Sequence, residues 1–299
     1  MEVRLVVLFG LMIWGRASAS GVPLEIKRTS VNGAVIAYVE AGQGEPIVFI
    51  HGELQDYRAW SKHLEFFASD HRVIAYSRRN HYPNAIANDG AADFATDIHA
   101  KDLAAFVSAL DLKSVHLVAH SSGAHAALFF AAEFPDMVRT MSLNEPPAIG
   151  MLRSSPMGLA MYRELETKLG PARAAFRNGQ LANGVQMYTD VVGGAGRYEG
   201  LSEIIQGAML DNAPAHVAEA LAQDSPALFS CELARKIKAP TLLVNGSKSL
   251  PMFKRINEEL RACLANYELV EIAATHAGPT DNPRAFDKAV REFIQERGR

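Results

Sequence analysis

The chain has 299 residues, of which 48% are hydrophobic and 21% charged, with a formal net charge of −3. That length and balance suit one catalytic domain with room for an inserted segment, and they exclude a disordered or low-complexity chain. The charges are interspersed and no basic run is present, which excludes a nucleic-acid partner, because such a partner needs a cationic stripe against its phosphates.

At the N-terminus, Arg4 precedes an apolar run from Leu5 to Trp14, and Ala17-Ser18-Ala19 then fits an A-x-A cleavage pattern. Residues 1–19 are expected to be a signal peptide. Its removal would leave a periplasmic or secreted protein, and an uncleaved leader a cytoplasmic one. The run is shorter than the about 20 apolar residues that a spanning helix needs. No second run of that length follows, so no stable membrane insertion is expected.

Beyond the leader, strands and helices alternate. Glu25–Thr29 and Val35–Glu40 read as a hairpin around the turn pair Asn32-Gly33. Pro46–Ile50 is a short apolar run of the kind found where both faces of a sheet are covered. Arg72–Tyr76, Val115–Ala119, Thr140–Leu143, Thr241–Val244 and Leu269–Ile272 resemble it. Between them, Ile98, Leu103, Phe106, Val107 and Leu110 recur at helical spacing, as do Phe286, Ala289, Val290, Phe293 and Ile294 near the end. From Pro147 to Ile237 no strand pattern appears. The stretch is helical and holds Met151, Met157, Met161, Met187 and Met209, five of the ten methionines. Methionine repacks around varied shapes, so this segment reads as a lid with an adaptable apolar face. The expected fold class is α/β: a doubly wound, mostly parallel sheet over 20–146 and 238–299, with a helical cap inserted over 147–237. The two cysteines, Cys231 and Cys263, suit either a disulfide in an oxidising compartment or two buried thiols.

The chemistry is concentrated where strands end. In Val115-His116-Leu117-Val118-Ala119-His120-Ser121-Ser122-Gly123-Ala124 an apolar strand runs into small-x-Ser-x-Gly, and a helix rich in small residues follows. A serine on such a turn has its hydroxyl exposed above the sheet, over the positive end of a helix. The pattern resembles the nucleophile elbow of the α/β-hydrolase fold family, with Ala119 in place of the usual first glycine. Ile50-His51-Gly52 with Trp60 beyond resembles that family's oxyanion loop. The resemblance implies Ser121 as nucleophile and the backbone N–H groups of Glu53 and Ser122 as oxyanion donors. The Glu53 carboxylate would then have to point away, and His51 reads as a structural residue that ties loops together.

Serine needs a base to take its proton. Of the ten histidines, His276 alone follows the last apolar strand and precedes the final helix, where the family places its base. The loop after Thr241–Val244 has no carboxylate before Glu258. Glu145, at the end of the preceding strand, therefore reads as the acid, with Asp281 in reserve. The order Ser121, Glu145, His276 is that of this fold. A set with the acid at this earlier strand is similar to a subset that includes zearalenone-type lactone hydrolases. In Tyr76-Ser77-Arg78-Arg79-Asn80-His81-Tyr82-Pro83 the family's usual acidic residue and glycines are replaced, and the segment reads as a pocket-rim loop with structural arginines.

The resemblance implies hydrolysis of a small-molecule carboxylic ester or lactone, with an apolar acyl or alkyl part, through an acyl-enzyme. No metal or organic cofactor is expected, since neither HExxH nor a Cys/His ligand cluster occurs. Carbon–carbon bond hydrolysis by the same triad, or a weakly catalytic receptor-like binding role, are the other readings. An elbow serine argues against epoxide and haloalkane hydrolysis, which use an aspartate there.

Overall fold

A computed structural model describes residues 24–86, 96–222 and 228–298. The expected signal peptide at 1–19 lies outside the described residues. An eight-stranded sheet forms the centre, in the order β1-β2-β4-β3-β5-β6-β7-β8. The strands are β1 (Lys27–Val31), β2 (Ala34–Ala41), β3 (Glu45–Ile50), β4 (His71–Tyr76), β5 (Val115–His120), β6 (Val138–Asn144), β7 (Thr241–Gly246) and β8 (Tyr267–Ile272). β1 and β2 form an antiparallel hairpin, and β2 pairs antiparallel with β4. Every pairing from β4 through β3 and on to β8 is parallel. The hairpin strands lie one to two residues from their expected bounds, because the turn at Asn32-Gly33, with φ of 45° and 79°, lets β1 pair up to Val31.

The near-continuous apolar runs are explained by cover on both faces of the sheet. Alternate residues of β3 serve opposite cores. Val48 and Ile50 pack with Leu103, Phe106 and Phe130, whereas Ile47 and Phe49 pack with Trp60, Phe67 and Phe286. On the first side lie α2 (Thr96–Ala109) and α3 (Ser122–Glu133). On the second lie α1 (Ser61–Phe67) and, from the end of the chain, α11 (Pro283–Arg297).

Between β6 and β7 the described residues hold α4 (Pro156–Arg177), α5 (Leu181–Gly193), α6 (Glu203–Asp211), α7 (Ala213–Ala222) and the short α8 (Cys231–Ala234). Leu54, from the loop after β3, is fully buried among Ala172 and Phe176 of α4, Val185 of α5 and Ala213 of α7, which seats this cap on the carboxyl end of the sheet. After β7 come α9 (Pro251–Arg261), then β8 and the short α10 (Gly278–Asp281). Cys231 and Cys263 form a disulfide that ties α8 to the segment after α9. No helix among the described residues is long and apolar enough to cross a membrane.

Candidate active site

β5 delivers Ser121 to the site. The strand is buried throughout, and the chain reverses at Ser121 with φ 52° and ψ −123° before α3 begins. A non-glycine residue in that conformation is strained by about 1–3 kcal/mol, so its surroundings must hold it there. They do so through backbone bonds: the Ser121 N–H donates to the Asn144 carbonyl at 2.9 Å, and the Ser121 carbonyl accepts from the His125 N–H at 3.0 Å. The turn needs glycine at 123, because a Cβ there would come within 2.3 Å of the His51 carbonyl oxygen and 2.6 Å of that of Ile50.

β6 ends in Asn144, and Glu145 follows with φ 46°. Its carboxylate is fully buried. One oxygen accepts from the Gly246 N–H at 2.7 Å, and the other faces His276 Nδ1 at 2.8 Å. His276 lies on the loop between β8 and α10, with Nε2 2.9 Å from Ser121 Oγ. The three residues expected to act together thus form one hydrogen-bonded line, across sequence separations of 131 and 155. Asp281 is elsewhere: one oxygen accepts from the Thr275 N–H at 2.9 Å and its hydroxyl at 2.6 Å, and the other pairs with Arg197. It anchors the histidine loop and makes no bond to the imidazole.

Three groups that sequence reasoning missed fix His276. Asn144 Nδ2 donates to its carbonyl at 2.8 Å, and Phe253 of α9 stacks on its ring with centroids 3.9 Å apart. His120, the residue before the nucleophile, lies between Gln55 Oε1 and the same carbonyl, 3.1 Å from each. Both are acceptors, so the ring's single proton serves one at a time. Burial, followed by the neighbouring His276, pushes the His120 pKa down to about 3, and the ring stays neutral.

The expected oxyanion donors lie beside the nucleophile. A Cβ on Gly52 would sit 3.1 Å from Ser121 Cβ, so the peptide joining Gly52 to Glu53 passes directly by the serine. Among the described residues, neither the Glu53 nor the Ser122 N–H donates to another group. His51 does tie loops together. The Arg78 N–H donates to its Nε2 at 2.9 Å, so Nδ1 carries the proton and donates to the Gly52 carbonyl at 2.8 Å. Burial holds the His51 pKa well below the usual imidazole range, in keeping with that neutral form.

In the segment after β4 the arginines have the structural place expected of them, and both Arg78 and Arg79 are buried. The reason is charge pairing. Arg79 makes a two-pronged pair with Asp102 of α2, at 2.7 and 2.9 Å. Arg78 reaches Ser122 Oγ at 3.1 Å and the Gly52 carbonyl at 3.4 Å with one terminal nitrogen, and Glu219 of α7 at 3.4 Å with the other. His81 and His99 also bond the Glu219 carboxylate, at 3.2 and 3.0 Å. Burial alone would raise the Glu219 pKa, but Arg78 and the two histidines outweigh it and hold the carboxyl well below its usual range. The Glu53 carboxylate faces His216 of α7 at 3.1 Å. The cap therefore meets the oxyanion loop with apolar side chains around Leu54 and with His216 and Glu219 of α7, where an apolar face had been expected.

Glu53, His81 and Glu219 bring three ligand-type atoms within 4.8 Å of one another, the spacing of a metal site. Arg78 already lies against both carboxylates, at 3.4 and 3.9 Å. Its guanidinium supplies the positive charge that a cation would bring, and a second cation would be repelled.

Comparison with known proteins bears on the family and the fold. Residues 45–283 match the family model of the alpha/beta hydrolase fold. A non-heme haloperoxidase of Rhodococcus erythropolis is 31% identical over 232 residues, covering 73% of this chain and 80% of that protein. A bifunctional esterase/perhydrolase of Acinetobacter calcoaceticus is 26% identical over 290 residues, 89% of this chain and 98% of that one. Among solved structures, the enol-lactonase of Burkholderia xenovorans superposes with a TM-score of 0.74 at 18% identity, covering 90% of this chain and all of that one.

Proposed function

Since the chain belongs to the alpha/beta hydrolase fold family, we propose that it is a serine hydrolase that cleaves a carboxylic ester or lactone through an acyl-enzyme. The observation that carries this reading is the continuous line from Ser121 Oγ to His276 Nε2 at 2.9 Å and from His276 Nδ1 to Glu145 at 2.8 Å. His276 takes the hydroxyl proton as Ser121 attacks the carbonyl carbon, and the buried Glu145 stabilises the imidazolium that forms. The N–H groups of Glu53 and Ser122 receive the developing oxyanion. The tetrahedral adduct then collapses, and the His276 proton passes to the leaving alkoxide, leaving an acyl-serine. Water enters, gives its proton to His276 and attacks the acyl carbon. The carboxylic acid departs as Ser121 regains its proton. The esterase/perhydrolase and the enol-lactonase among the similar proteins support an ester or lactone bond as the target. The methionine-rich helical cap over the carboxyl end of the sheet supports an apolar acyl or alkyl part.

The test is turnover of p-nitrophenyl esters of graded chain length and of lactones, with a ring-fission dienone assayed beside them. Wild-type protein is expected to hydrolyse esters or lactones, and Ser121→Ala to lose that activity. Unchanged turnover in Ser121→Ala removes the assignment, and preference for the dienone moves it to carbon–carbon bond hydrolysis.

Residues 1–19 are the proposed leader of a periplasmic or secreted protein. The Cys231–Cys263 disulfide supports this, because such bonds persist in oxidising compartments. Mass measurement of the protein recovered from the periplasmic fraction is expected to give a chain beginning after Ala19.

A further inference from the structure

We propose that Glu219 of the cap is a positioning residue that acts through Arg78 to aim the Glu53 N–H at the reacting carbonyl. This rests on the serine-hydrolase reading above. The Gly52 carbonyl and the Glu53 N–H are the two ends of one peptide. That peptide is trans, and in a trans peptide the two groups point in opposite directions. Whatever grips the carbonyl therefore sets the direction of the N–H. Two groups grip it: His51 Nδ1 at 2.8 Å and Arg78 Nη2 at 3.4 Å. The same Nη2 donates to Ser122 Oγ at 3.1 Å. One guanidinium nitrogen thus bridges the two residues whose amides would hold the oxyanion, and it does so from behind the site.

That nitrogen keeps its place only while the buried charge behind it is balanced. Arg78 is 2% exposed, and a cation so far from water needs a partner. Its nearer partner is Glu219, which meets Nη1 at 3.4 Å and is itself oriented by His81 and His99 of the core, with the Glu53 carboxylate 3.9 Å from Nη2. Glu219 and His216 lie three residues apart on α7 and so share one face of that helix. From that face His216 holds the Glu53 carboxylate at 3.1 Å. Besides burying Leu54, the cap thereby bears on the oxyanion loop through Arg78 at the Gly52–Glu53 peptide and through His216 on the Glu53 side chain. Seating of α7 and assembly of the oxyanion side of the site become a single event.

The experiment compares full-length wild type, Ser121→Ala, Glu219→Gln and Arg78→Lys. It measures ester kcat and KM, affinity for phenylboronic acid as a tetrahedral mimic, and the end-point count of fluorophosphonate-reactive serine. Removing an oxyanion donor outright costs about 10²–10³-fold in kcat. Misdirecting one is expected to cost about 10–100-fold in Glu219→Gln, with KM within about threefold of wild type. Boronate affinity is expected to fall by the same factor as kcat. A merely structural defect would lower the count of reactive serines and leave the boronate affinity per site unchanged. Arg78→Lys keeps the charge and the Glu219 partner but cannot donate along the guanidinium's fork. It is expected to show the same kcat loss, and it is decisive if Glu219→Gln fails to fold. Wild-type kcat and boronate affinity in either folded variant overturn the proposal while leaving the hydrolase reading intact. Absent wild-type turnover, or undiminished turnover in Ser121→Ala, overturns both.

Discussion

Glu145 has no contact with solvent, and its two oxygens have different duties: one accepts from the Gly246 amide, the other faces His276. Glu145→Gln separates those duties. The amide oxygen can still accept from Gly246, but the amide nitrogen then faces Nδ1, and the ring must turn its lone pair that way and its proton toward Ser121. A base with its proton on the wrong nitrogen cannot deprotonate the serine. We expect kcat to fall by about 10²–10⁴-fold with the fold retained, as the loss from the equivalent change in a Ser-His-Asp triad indicates. Steady-state kinetics and circular dichroism check this, and normal kcat would remove Glu145 from the reaction. Glu145, Ser121 and His276 were legible in the sequence because each directly follows a strand or lies on the loop after one. Arg78 and Glu219 were not. They stand 141 residues apart, and what pairs them is the way α7 lands on the core, which no local pattern records.

At the scale of elements, the β5 strand, the Ser121 turn and α3 form a unit whose tolerance is set by close backbone approach. Gly123 is the tightest point, since a methyl group there meets two carbonyl oxygens that belong to β3 and its following residue. Backbone atoms cannot swing aside as a side chain end can. Gly123→Ala is therefore expected to destabilise the protein by about 1–3 kcal/mol or more and to lower the yield of active enzyme. Urea unfolding followed by circular dichroism measures the first effect, and wild-type stability would show that the turn relaxes. The central strands were readable because parallel strands covered on both faces are mostly apolar, whereas β8 at the sheet edge keeps exposed positions such as Tyr267 and Leu269. The cap helices were readable as helices but not in their contacts. His216 and Glu219 sit in a sequence that otherwise reads as an apolar helix face.

For the whole molecule, several buried histidines set how stability depends on pH. Burial lowers the pKa of His125 to about 4, and burial, ahead of its other neighbours, lowers that of His116 to about 4. In the unfolded chain both would titrate near 6.5. Below that value the unfolded state takes up protons that the native state refuses. Their contribution is therefore complete above about pH 6.5 and is lost as pH falls toward 4. The melting temperature is expected to drop between pH 7 and pH 5. His125→Phe, placed against Phe129 and Phe229, is expected to make that drop smaller, as calorimetry at the two values would show. The disulfide acts on the same scale. Closing a loop with a sequence separation of 32 is worth about 4 kcal/mol in the chain-entropy description, so reduction with dithiothreitol is expected to lower the unfolding free energy by that amount, as urea unfolding of the oxidised and reduced protein would show. Sequence reasoning left that bond open, because nothing local says that α8 and the end of α9 meet.

The place of the acid has one more effect. With the carboxylate supplied by residue 145, the stretch from Ser247 to Leu250 has no proton to manage, and its backbone instead braces the histidine loop: the Ser247 N–H donates to the Ile272 carbonyl at 2.8 Å and the Lys248 N–H to that of Ala274 at 2.9 Å. The outward side chains of Ser247 and Lys248 are therefore free to drift across generations, or to be exchanged by an engineer, so long as the length of that backbone is kept.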